Sequence, residues 1–82
     1  MKNKNEELSI IQCRMARAGL RLGIQELARI VDMSPNTISR FERGENMHRR
    51  SVKAIREALE EAGAEFTTAT DGHDSVTIRK HS

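Results

Sequence analysis

Tryptophan and tyrosine are missing from this chain, two phenylalanines are its only aromatics, and apolar residues make up 37% of it. A core built from so little is thin, and a chain of 82 residues buries a modest share of its surface. Burial between two copies would add to it. No apolar run approaches the roughly 20 residues that a bilayer-spanning helix needs, and the opening MKNKNEELS lacks the apolar segment of a signal peptide. The protein is therefore expected to stay in the cytoplasm, away from membranes. A single cysteine, Cys13, excludes an internal disulfide and fits a reducing compartment. No second ligand stands near Cys13 at metal spacing, so it reads as a small core residue. His48, His73 and His81 show no ligand spacing either and read as surface residues.

The patterns of catalysis are lacking too. There is no glycine loop to cradle a phosphate, no nucleophile beside a base, and no carboxylate pair outside one long acidic run. Neither an enzyme nor a cofactor is expected. What the chain does have is charge, unevenly placed. Net charge is only +2, but residues 40–56 carry six Lys or Arg against Glu42 and Glu45, while residues 57–74 carry six acids and no Lys or Arg. A strongly dipolar surface follows.

Residues 24–44, IQELARIVDMSPNTISRFERG, organise the rest. Leu27, Ala28 and Val31 form the stripe of a helix lying on a core. Asp32 and Met33 break the run, and Ser34-Pro35 restarts it. The serine hydroxyl can accept a bond from an unpaired first-turn amide, and proline suits the first helical position, where no donor is needed. Ile38 and Phe41 anchor this second helix, and Gly44 offers a left-handed stop. Asn36 and Arg40 lie four apart and share the opposite face. Two short helices, a tight turn and a polar outer face make the pattern of a helix-turn-helix.

From residue 17 to residue 44 the sequence resembles the helix-turn-helix of the Xre/Cro-type phage repressors and their bacterial relatives. The matching features are Leu27-Ala28, the turn, and SPNTISRFERG with its serine-initiated second helix ending in Phe, Glu and Gly. Ala28 stands where the family keeps a small residue so that the two helices cross closely. Two positions depart from the pattern. Gly23-Ile24 replace the usual Ser/Thr-Gln at the start of the first motif helix, with Gln25 one residue late, and Asp32 replaces the usual turn glycine.

The resemblance implies a mainly α, four- to five-helix repressor-like DNA-binding domain, to which the residue pattern of the tail, taken below, adds a C-terminal β-hairpin or strand. It also implies a homodimer on a near-palindromic double-stranded operator, with recognition helices about one DNA turn, roughly 34 Å, apart. Within the second motif helix Arg40 suits guanine and Asn36 adenine, Thr37 and Ser39 can touch bases or backbone, and Pro35 offers apolar contact. Arg17, Arg21, Gln25, Ser34, Arg43, Arg49, Arg50 and Lys53 are the candidate phosphate contacts, which set register rather than sequence. In the family the arginine at the position of Arg17 pairs with the glutamate ending the recognition helix, so an Arg17–Glu42 ion pair is expected here.

Around this motif the chain divides into a polar N-terminus over 1–6, the helical domain over 7–63, and a tail over 64–82. A first helix is expected from about residue 7 to 19, with Ile10, Cys13, Ala16 and Leu20 on its core side. Arg21 and Arg29 are exposed by periodicity. After Gly44 a loop drops Met47 into the core, and Ser51 is expected to cap a helix whose inner face is Val52, Ile55, Ala58, Leu59 and Ala62, closed by Gly63. Its charges run against the helix dipole, basic at the amino end and acidic at the carboxyl end. An amino end turned towards phosphates accounts for that, with Lys53–Glu57 and Arg56–Glu60 pairs as partial relief.

The tail changes period. Thr, Val, Ile and Phe around Asp71-Gly72 indicate a β-hairpin. Setting Phe66 on the face of Val76 and Ile78 needs an odd-numbered loop, such as residues 70–72 with Gly72 left-handed. A lone ribbon is marginal in water, so it packs on the helices or pairs with a second copy, with exchange between protomers the preferred expectation. Two further readings stay open: an antitoxin or phage-module autoregulator gripping a protein partner through residues 64–82, and a helix-turn-helix used only for protein contact.

Overall fold

The computed structural model describes residues 7–68 and 72–79. The chain is mainly helical, with α1 (Ile10–Leu20), α2 (Ile24–Val31), α3 (Pro35–Glu42) and α4 (Arg49–Glu61), followed by an antiparallel hairpin of β1 (Ala64–Thr68) and β2 (Asp74–Ile78). Expectations for residues 1–6 and for His81 fall outside the described residues.

Each helix boundary has a local cause. Ser9 caps α1: its hydroxyl accepts from the Gln12 amide at 3.0 Å, and the Gln12 side-chain carbonyl accepts from the Ser9 amide at 3.1 Å. This reciprocal cap starts the helix later than the sequence pattern suggests. Gly23 has no side chain with which to cap α2, yet its own amide donates to Glu26 Oε1 at 2.8 Å, so half of a capping box remains. Asp32 ends α2 in the left-handed region at φ 59°, as its place in the turn requires. Arg21 does the same after α1 at φ 60°, a conformation the sequence pattern does not announce. Ser34 accepts from the Thr37 amide at 3.1 Å, and Pro35 is the first residue of α3.

The start of α4 corrects one expectation. Ser51 is not its cap, because the amides of both Ser51 and Val52 already bond to the His48 carbonyl, at 2.9 and 3.1 Å. His48 is the capping position and supplies no side-chain bond, leaving the helix to begin at Arg49. A basic loop residue thus stands where a serine would have used the helix end for itself.

Leu27, Ile38, Ile55, Leu59, Cys13 and Ala16 form the centre of the core, closed by Phe41, Val52 and Ala28 and by Met47 from the loop. The hairpin register pairs Phe66 with Val76 and Ala64 with Ile78. One face of the ribbon is therefore apolar, and it lies on helices of its own chain. Gln12, only 1% exposed, donates from Nε2 to the carbonyls of Thr67 and Ser75, at 3.2 and 3.4 Å, so that one side chain holds both strands. Gly19 lets β2 close on α1: a Cβ built there would stand 2.7 Å from Ile78 Cγ1. Within the single chain the apolar face of the ribbon packs on its own helices, the first of the two arrangements expected for it. The register from Phe66–Val76 to Thr68–Asp74 leaves an odd number of residues between the strands, as expected, and Gly72 has φ 93°, while the expectations for Thr70 and Asp71 fall outside the described residues.

Candidate nucleic-acid interface

The outward side of α3 and the amino end of α4 make one continuous polar surface. Ile38 and Phe41 are buried and fix the rotation of α3, which leaves Pro35, Asn36 and Arg40 exposed and Thr37 and Ser39 half-buried at the edges. Thr37 and Arg40 line a shallow depression of about 500 Å3 together with Asn46, Met47, His48 and Ser51. This depression joins α3 to the first turn of α4. Ser39 faces the other flank, where it lines a second depression with Arg14, Ile24, Glu42 and Arg43.

The phosphate candidates fall into two groups. Arg21, Gln25, Ser34, Arg43, Arg49, Arg50 and Lys53 are exposed, whereas Arg17 is turned inward. The Ser34 hydroxyl is also committed to the cap and to a 2.9 Å hydrogen bond with the Thr37 hydroxyl. At α4 no acidic residue occupies the first turn and no basic residue the last, so positive side chains surround the positive end of the helix dipole. Of the two relieving pairs expected on this helix, Arg56–Glu60 forms at 2.9 Å, while Lys53 makes no ion pair with Glu57 among the described residues. Lys53 thereby keeps its charge available beside Arg49 and Arg50. Arg49 reaches Glu7 at 3.3 Å, but both side chains are well exposed, and such a pair is worth little.

Arg17 braces the interface from behind. Its Nε and Nη2 donate to the two carboxylate oxygens of Glu42, both at 2.8 Å, and Nη1 donates to the Leu22 carbonyl at 3.1 Å. All three nitrogens serve the fold, so Arg17 is a brace first, and a phosphate contact expected of it competes with these bonds. Cys13 Sγ donates to Glu42 Oε2 at 3.3 Å. Burial, and then the facing Glu42 carboxylate, push the Cys13 thiol up to about 12. Burial also works to raise the Glu42 carboxyl, but the bonds from Arg17 and Cys13 and the charges of Arg17 and Arg14 outweigh it and hold Glu42 below the usual carboxylate range. The bond to Glu42 raises Arg17 in turn.

Two residues of this surface escape the sequence pattern. Arg14 lies one helical turn before Arg17, and that spacing is the signal that could have placed it at the α1–α3 flank. Glu45 is the other: it accepts from Arg40 Nε at 2.8 Å and from Arg43 Nη2 at 3.2 Å. Its position beyond the helix hides it from any helical spacing rule. No protein-family model matches the chain, and no curated protein matches it in sequence.

Proposed function

We propose that this protein binds double-stranded DNA in a sequence-specific manner and acts as a transcriptional regulator, most simply a repressor that occupies a promoter. The observation that carries the reading is the pairing of two features on one surface: an α3 anchored by Ile38 and Phe41 that presents Asn36 and Arg40 outward, and an adjoining α4 amino end where Arg49, Arg50 and Lys53 stand exposed with no acid in the helix's own first turn. A helix held in this way can enter the major groove, where Arg40 is suited to guanine and Asn36 to adenine. Cations beside it replace condensed counterions on the phosphates. The resemblance of residues 17–44 to the Xre/Cro-type regulators supports the same reading, and a cytoplasmic location accords with it.

One such module offers a small interface, so a homodimer on a near-palindromic operator is part of the proposal. Ile11 and Met15, exposed four residues apart on α1, provide apolar surface for contact between copies. Selection of duplexes from a randomised pool, followed by affinity measurement at several salt concentrations, tests the whole reading. Enrichment of a two-fold symmetric sequence bound with a steep salt dependence is expected. Failure to retain any duplex at low salt would leave protein contact as the role of the motif.

A further inference from the structure

The turn after α3 does more than stop the helix. The Gly44 amide bonds to the Phe41 carbonyl and the Glu45 amide to the Arg40 carbonyl, both at 3.0 Å, with Gly44 at φ 99°. This is the six-to-one and five-to-two pattern of a Schellman turn, and it folds the chain back so that residue 45 lies against residue 40. The side chains continue what the backbone begins. The Glu45 carboxylate divides its oxygens between Arg40 and Arg43, and these two bonds hold it ionised more firmly than an ordinary carboxylate. Among the described residues, Arg40 bonds through its side chain at Nε alone, and the side chain is 55% exposed, which leaves its two terminal nitrogens as an unengaged fork.

We infer that Glu45 is a positioning and specificity-determining residue of the DNA-reading surface: it aims the Arg40 fork and, by its charge, discourages Arg40 and Arg43 from settling on phosphates of any sequence. The inference rests on the DNA reading above. A fork held through Nε keeps both terminal nitrogens free for the paired acceptors of guanine. A carboxylate between two arginines also subtracts from the uniform phosphate attraction that supplies non-specific binding, so it widens the gap between right and wrong sequences.

Glu45→Gln separates the two roles, since it keeps an oxygen acceptor for Arg40 Nε and removes the charge. The probes are a duplex selected by the wild-type protein from a random pool and a scrambled duplex of equal composition, each titrated over a range of salt. Glu45→Gln is expected to bind the scrambled duplex several-fold more tightly, with a salt slope steeper by about 1, and to bind the selected duplex with little change. Glu45→Ala, which frees the fork as well, is expected to weaken the selected duplex in addition. An equal change on both probes with Glu45→Gln, or no change on either, overturns the inference while leaving DNA binding intact. A wild-type protein that binds neither duplex, or both alike, overturns the DNA reading or its specificity, and the role of Glu45 falls with it.

Discussion

Arg17 and Glu42 meet through two parallel hydrogen bonds of 2.8 Å, with the carboxylate side chain 8% exposed and the guanidinium 21%. The pair ties the last turn of α1 to the last residue of α3, the helix whose outer face reads DNA in our proposal. Removing either partner strands the other in a poorly solvated site. Arg17→Ala and Glu42→Ala are each expected to cost about 2–4 kcal/mol in urea unfolding, and the double variant clearly less than the sum. Additive losses would show that the two side chains are not coupled.

The same cluster sets pH limits. Glu42 is held below its ordinary value in the fold, so its contribution is present above about pH 4.5 and disappears as pH falls through the folded value. Cys13 moves the other way, from 9.0 to about 12, so its contribution is complete below pH 9 and declines as pH rises towards 12. Unfolding free energy should fall at both ends, and Cys13→Ser should lessen the alkaline fall selectively. In the native state at neutral pH the thiol should resist alkylation and react once urea opens the core.

Gln12 predicts how the hairpin is held. Gln12→Ala removes both bonds to the Thr67 and Ser75 carbonyls as well as half of the α1 cap, at an expected cost of about 1–3 kcal/mol. Gly19→Val places branched bulk where Ile78 already lies and should lift β2 from α1. Faster amide exchange in β1 and β2, with α2 and α3 kept protected, is the expected signature of both. Unchanged exchange in the strands would mean that the ribbon is held elsewhere.

Gly44→Ala isolates a backbone effect. A Cβ there would meet only Ile10 Cδ1, at 3.9 Å, so the loss comes from the left-handed conformation and should be about 1–2 kcal/mol. Because this turn also carries Glu45 to Arg40, the discrimination between selected and scrambled duplexes should fall along with the melting temperature.

On DNA, Arg40→Ala and Asn36→Ala should each relax preference at one base position, by about 1–3 kcal/mol. Arg49→Ala should instead weaken all sequences alike and flatten the salt slope by about 1. If all three variants behaved identically, the division between reading and anchoring residues would be wrong.

The helices of this protein are written locally. Ser34-Pro35 starts α3, Asp32 and Gly44 take the turns, and the spacing of Leu27, Ala28, Ile38 and Phe41 fixes which faces turn inward. Each of these signals acts within a few residues, so each is legible without knowledge of the fold. The exposed set of Asn36, Arg40, Arg49, Arg50 and Lys53 follows from the same periodicity. The odd hairpin loop was legible as well, because alternation alone requires it to bring Phe66 and Val76 to one face.

Other features depend on what meets what. Ser51 reads as a cap until the chain's approach to α4 hands that place to His48. Gln12 is a polar side chain that only the arrival of two strands makes tolerable to bury, since their carbonyls satisfy its amide. Whether the ribbon would pack on its own helices or pair with another copy could not be read from its pattern, because an apolar face is the same whatever covers it. The sequence by itself determined the helices, their inner faces and a displaced charge balance, since these rest on short-range sterics and periodicity. The tertiary structure decided which partners those faces took: the hairpin on α1, and Glu45 on Arg40. Such contacts depend on how chain segments approach in space, and that approach is set by the core as a whole.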